Sequence, residues 1–187
     1  MKKWLVSAGL LVCLLLAFST PVLADTMLGN DKAQVDVANL ASGYVKVAYT
    51  GGQDKKVKLR ITAPNKVQYD YALNNQGTFE IFPLTEGNGK YTISVYVNVS
   101  DAKYSVAFTT DADVKLSSEF APFLVANQYV NYSHSSAVVA KAAELSKGKT
   151  SDLEKVNAIY NYVVTTFTYD TVKAQSVQSG YIPIVDN

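Results

Sequence analysis

Few residues in this chain could carry covalent or metal chemistry. The one cysteine is Cys13, in an apolar run near the start, and the one histidine is His134. With no cysteine left once that run is cleaved away, a zinc site has almost no ligands to draw on. His134 could in principle serve as a general base beside a serine. Its setting, Tyr132-Ser133-His134-Ser135-Ser136, reads more simply as a polar lead-in to a helix. Asp111 and Asp113, two apart after a strand pattern, could bind calcium weakly; a solvated strand end accounts for them as well. Glu80, Glu86 and Glu119 are scattered and make no carboxylate pair. The 13 tyrosines could build a sugar-stacking surface, but most sit in alternating strands, where they are ordinary sheet residues. There is no phosphate loop and no Gly-rich cofactor motif. We therefore assign no catalytic, cofactor-binding or metal-ligating residue, and no cofactor.

The N-terminus reads as an address. Lys2 and Lys3 form a basic start, residues 5–18 are apolar, Pro21 breaks the run, and Val22-Leu23-Ala24 makes a small-residue cleavage site before Asp25. That is the pattern of a secretory signal peptide over residues 1–24, and the apolar run is short for a spanning helix. Cys13 makes no lipobox, because Val12 precedes it. Cleavage removes two lysines and no acids, so the net charge falls from +1 to −1 over the remaining 163 of 187 residues. Nothing in that balance suggests nucleic acid or an anionic membrane as a partner. The processed chain has no disulfide although it enters an oxidising compartment. The expected location is secreted and extracellular. Asn98-Val99-Ser100 and Asn131-Tyr132-Ser133 match N-glycosylation acceptors.

Behind the signal comes a short leader, residues 25–31, and then a series of strand patterns closed by turn residues. Residues 34–37 alternate weakly and residues 43–49 alternate well. Residues 57–62 alternate throughout and end at Ala63-Pro64-Asn65. Residues 67–73 are aromatic-rich, and residues 78–82 follow. Residues 90–99 form the longest strand, with Tyr91, Ile93, Val95, Val97 and Val99 on one face, and residues 104–109 form the last. Period-two patterning with β-branched and tyrosine enrichment points to a mainly β, antiparallel sandwich. About seven short strands in this length is an immunoglobulin-like count. The cysteine pair and mid-strand tryptophan of antibody domains are absent. We place the β-sandwich at 25–110 and an extended connector at 111–135.

Two helices are expected next. The first spans about residues 136–146, with Val138, Ala142 and Leu145 as a narrow stripe and Lys147-Gly148-Lys149 as its end. The second opens with Ser151 and Glu154, an S-x-x-E capping box, and Asp152 adds a charge that the helix dipole favours. Leu153, Val156, Ile159, Tyr160, Val163, Val164 and Phe167 share one side of it. A stripe that wide needs a solid partner, and the upstream helix is too narrow to supply it. The stretch after Asp170 stops without a structural ending, and Gly180-Tyr181-Ile182-Pro183 breaks whatever follows the long helix.

The ordered set Ser151-Asp152-Leu153-Glu154-Lys155-Val156, Ile159-Tyr160-Asn161-Tyr162-Val163-Val164, Phe167-Thr168-Tyr169-Asp170 and Gln178-Ser179-Gly180-Tyr181-Ile182-Pro183 resembles the opening of a transglutaminase-like domain. It is most similar to secreted Gram-positive proteins, clostridial in style, that carry a β-rich domain in front. Phe120-Ala121-Pro122-Phe123-Leu124 and Asn127-Gln128-Tyr129-Val130 resemble the segment before the core there. The resemblance covers roughly residues 120–187. It implies a papain-like α/β core and a Cys-His-Asp triad whose cysteine attacks a carbonyl to give a thioester. The family's triad positions fall past Asn187, so no catalytic residue carries over to this chain. Residues 136–187 are thus expected to be a truncated start of such a domain, catalytically incompetent alone. The face of Leu153, Val156, Tyr160, Val163 and Phe167 would associate with the missing domain. The alternative is a secreted immunoglobulin-like binding module that contacts cell-wall polymer or a surface protein. A folded two-sheet part, residues 31–110, and a poorly stable C-terminal third are expected.

Overall fold

A computed structural model of the chain describes residues 26–178 and Tyr181. The expected signal peptide, residues 1–24, and most of the break around Gly180 lie outside the described residues. Among those described, the protein is mainly β: two antiparallel four-stranded sheets, followed by three helices.

The first sheet contains β1 (Met27–Gly29), β2 (Ala33–Asp36), β3 (Tyr44–Tyr49) and β6 (Glu80–Pro83), in the order β1-β2-β3-β6. The second contains β4 (Val57–Thr62), β5 (Gln68–Leu73), β7 (Gly89–Ser100) and β8 (Lys103–Val114), in the order β5-β4-β7-β8. Alternation explains the layering. In β4, Val57, Leu59 and Ile61 are buried while Lys58 is exposed. Tyr91, Ile93 and Val95 of β7 are 0% exposed. These residues join Val35, Val45, Val47 and Phe82 of the first sheet in one apolar cluster, so the two sheets face each other in a sandwich-like arrangement. Burying each such aliphatic or aromatic side chain contributes about 1.5–3 kcal/mol, which makes this cluster the main source of stability.

Tyr91 also carries a polar duty. Its hydroxyl accepts from the Glu86 N–H at 2.9 Å and donates to the Gly87 carbonyl at 3.0 Å. The phenol thereby closes the turn that leads into β7. Burial pushes its pKa up.

Four expectations are corrected. Residues 27–29 of the presumed leader pair with β2 as strand β1. The last strand runs on to Val114, because Ala112 and Val114 point into the core while Asp111 and Asp113 stay outside. The first four residues assigned to the connector are therefore strand. The rest of the connector is a strap that runs beside β6 and β5, from Gly43 at one end to Ala72 and Glu80 at the other, not a free extension. Leu116 N–H bonds to Asn88 Oδ1, and Ser117 N–H bonds to the Ala41 carbonyl. The 3-10 turn Ala121–Leu124 buries Pro122 against Gly43. Gly43 has φ 77°, and a Cβ there would lie 2.5 Å from Pro122 Cγ. Finally, Val99 is the unpaired residue at the register shift between Asn98 and Ser100 and is 54% exposed, so it leaves the face shared by Tyr91 and Ile93.

The helices follow the strap. α1 is Ala137–Ser146, α2 is Asp152–Thr166 and α3 is Thr171–Ser176. α3 was not expected. Its Asp170 cap accepts from the Lys173 N–H at 2.8 Å, the side-chain capping that starts a helix. None of the helices among the described residues is long and apolar enough to cross a membrane.

Candidate functional site

Two surfaces stand out, one on the helices and one on the second sheet. The helical one is built by strong local signals. Ser151 Oγ accepts from the Glu154 N–H at 3.3 Å, and Glu154 Oε2 accepts from the Ser151 and Thr150 N–H groups, each at 3.0 Å. These backbone donors hold the Glu154 carboxyl down at about 2. The start of α2 is thus well fixed, as the capping box requires.

Its apolar face is not covered. Leu153 is 69% exposed, Val156 60%, Tyr160 63% and Phe167 63%, and neither α1 nor α2 contains a buried residue. α1 offers partial cover. Val138, Ala142 and Leu145 face Ile159, Val163 and Phe167 across a groove of about 330 Å³. The Tyr162 and Phe167 rings meet edge to face at 5.9 Å.

The second surface is the outer side of β5-β4-β7-β8. Lys58 stands opposite Tyr96, and Arg60 opposite Ser94. Lys58 Nζ lies 4.4 Å from the Tyr104 ring centre, and the Arg60 guanidinium 6.0 Å from that of Tyr96. Arg60 forks onto Asp70 through Nε and an Nη, both at 2.7 Å. That hydrogen-bonded pairing lowers the Asp70 pKa and raises that of Arg60. A groove of about 520 Å³ runs beside Lys58 and Tyr104, with Lys55, Lys56, Asp70 and Ala72 among its walls.

The other candidates are dispersed. His134 is exposed; Ser133 bonds to Ser135 and Ser136, and the imidazole is in neither bond. Asp111 accepts from Thr92 Oγ1 at 2.7 Å and lies 3.7 Å from Lys90, as an outward strand residue does. No group of three or more potential metal ligands occurs among the described residues. Glu80 anchors the strap: it accepts from Gln128 at 3.0 Å and from Asn74 at 2.7 Å. Glu86 accepts from Asn65 and Tyr69. Asn98 donates its amide to the Asp101 and Lys103 carbonyls, so it serves the β7–β8 turn. Asn131, in the second sequon, is exposed.

Sequence reasoning missed the cation–tyrosine surface. Its signal was present in Lys56-Val57-Lys58-Leu59-Arg60, where cations occupy every second position of a strand. The ring partners come from β7 and β8, and only the cross-strand register reveals them. No family model matches the chain, and no curated protein or solved structure matches it either.

Proposed function

We propose that the chain is the N-terminal, non-catalytic portion of a secreted transglutaminase-like protein, in which the helices dock on a further domain. The observation that carries this reading is the uncovered stripe of α2, 60–69% exposed at Leu153, Val156 and Tyr160, on a helix whose start is so firmly capped. Such a stripe gains by burial, at about 25 cal/mol per Å² of apolar surface. The order of short motifs from Phe120 to Pro183 supports the family, and the Lys2-to-Ala24 pattern supports secretion. In this role the two sheets and strap form a mount, and the helical pair is the adaptor. Reading the transcript past the Asn187 codon tests the proposal. It predicts a continuation encoding a cysteine at a helix start, followed by histidine and aspartate. A sequence with no such coding capacity in any frame would overturn it.

A second reading is favoured by the outer face of the second sheet: an immunoglobulin-like module that binds cell-wall polymer or a surface protein. The immunoglobulin-like assignment is supported by the split of strands into two antiparallel sheets, β1-β2-β3-β6 and β5-β4-β7-β8, and by Tyr91, whose hydroxyl bonds back to the backbone at the entry to β7. The pairing of exposed Lys58 with half-buried Tyr104 supports binding there. The two readings are compatible, because the surfaces lie on different elements. Retention of the chain by purified cell wall tests the second, and its absence would dismiss it.

A further inference from the structure

The binding-module reading leaves the ligand open, and the second sheet carries enough chemistry to name a class. Lys56, Lys58 and Arg60 fall on alternate positions of β4 and the residue before it, so successive cations are about 7 Å apart. Their charges are not equally available. Arg60 is held by Asp70 at 2.7 Å, and Lys55 lies 3.7 Å from Asp54. Lys56 and Lys58 have no carboxylate within ion-pair distance among the described residues, and both line the groove of about 520 Å³. Tyr104 stands on the rim with its ring against Lys58 Nζ. Ala72, on the neighbouring strand, is exposed and small, and it leaves space for a ligand between β5 and the lysines. A second, smaller hollow of about 210 Å³ shares Lys58, Asp70 and Tyr104 and adds Arg60 and Tyr96. The two hollows therefore form one track along the sheet.

We propose that this track binds an acidic polysaccharide. The two free ammonium groups would take carboxylates along the polymer. Tyr104 and Tyr96, each with one ring face set against Lys58 or Arg60, would offer their remaining ring surface to the C–H faces of the sugars between them. Asp70 holds Arg60 through two hydrogen bonds, with the guanidinium 6.0 Å from the Tyr96 ring centre. A nucleic acid fits less well. Nucleic-acid faces belong to strongly basic domains, whereas this chain has a sequence pI of about 7.7 and an acid inside the track. Exposed charge contacts are individually weak and salt-sensitive, so the interaction depends on several repeats held at once.

This inference rests on the binding-module reading and is tested apart from it. The full chain is run by affinity electrophoresis through gels containing polygalacturonate, neutral dextran or single-stranded oligothymidylate. Retardation by polygalacturonate alone is expected, and raising the salt should abolish it. Lys56→Ser with Lys58→Ser should weaken it by about tenfold, and Tyr104→Ser by a few-fold. Ala72→Glu, which puts a carboxylate into the groove without removing a lysine, should abolish it. Each variant must unfold at the wild-type temperature for the comparison to count, and the exposure of Lys56, Lys58 and Ala72 makes that the expected behaviour for the lysine and Ala72→Glu variants. No retardation by polygalacturonate, equal retardation by oligothymidylate, or an unaffected lysine variant would each overturn the proposal. If the lysine variant still binds whole cell wall as wild type does, the binding-module reading stands and this site falls.

Discussion

Tyr91→Phe removes one oxygen from the inside of the two-sheet unit. The ring is 0% exposed, and that oxygen serves two backbone groups, the Glu86 N–H at 2.9 Å and the Gly87 carbonyl at 3.0 Å. Phenylalanine keeps the ring and its packing against the core but leaves both groups without their partner. A neutral hydrogen bond nets about 0.5–1.5 kcal/mol, and a polar group left unsatisfied in the interior costs about 1–3 kcal/mol. Gly87 and Glu86 are half-buried, so water can reach part of the turn, and the expected loss is about 1–3 kcal/mol. In urea the midpoint should fall with the slope unchanged, because the surface exposed on unfolding is the same. Tyrosine fluorescence reports it, since the only tryptophan is Trp4. Tyr71→Phe is the control. Tyr71 is half-buried, with its pKa pushed up to about 12 chiefly by burial, and its hydroxyl has no hydrogen bond among the described residues. It should change stability by less than about 0.5 kcal/mol. A Tyr91→Phe midpoint equal to wild type, or no lower than that of Tyr71→Phe, would refute the structural role given to this hydroxyl. It would also remove one support for the immunoglobulin-like assignment.

Three further outcomes are expected. Lys66 sits in the β4–β5 turn at φ 72°, where a side chain is strained by about 1–2 kcal/mol; Lys66→Gly should raise the unfolding free energy measured in urea by about 0.5–1 kcal/mol after glycine's own entropy cost. Gly43→Ala should lose about 1–3 kcal/mol and expose the segment around Pro122 to protease, because the new Cβ would strike the proline ring. The Glu154 carboxyl lies well below its ordinary value of 4.5, at about 2 in the folded helix. A depressed carboxyl contributes stability that is present above the unfolded value and lost as pH falls through the folded one. Helical circular dichroism from α2 should therefore decline between about pH 4.5 and 2, and Glu154→Gln should flatten that decline. A carboxyl resonance of Glu154 titrating at its ordinary value would contradict the capping geometry.

The parts of the fold that could be read from sequence are those set by local signals. β4 occupies residues 57–62 in both readings, because Val57, Leu59 and Ile61 alternate with polar residues and Ala63-Pro64-Asn65 stops the run. The start of α2 was legible because Ser151 and Glu154 need only each other. The misses have non-local causes. β1 is three residues long and owes its strand form to β2. The end of β8 was hidden because Asp111 and Asp113, read as a solvated strand end, alternate with the inward Ala112 and Val114. The strap depends on Pro122 meeting Gly43 and Gln128 meeting Glu80, pairs far apart in the chain. α3 has six residues, too few to show a periodicity. At the surfaces, the α2 stripe was readable as a helical face. The Lys58–Tyr104 and Arg60–Tyr96 pairs were not, since each joins strands whose register no single stretch reveals.

The protein has a two-sheet unit with a closed core and a helical arm whose apolar face is unfilled. Hydrogen exchange along the full chain, read by mass spectrometry, tests that division most directly. β4 and β7, central in their sheet, should exchange only on global opening, while the amides of α2 from Val156 to Val164 should exchange orders of magnitude faster through local opening. Protection of α2 equal to that of β7 would mean that its face is already covered, and the adaptor role proposed for it would be wrong.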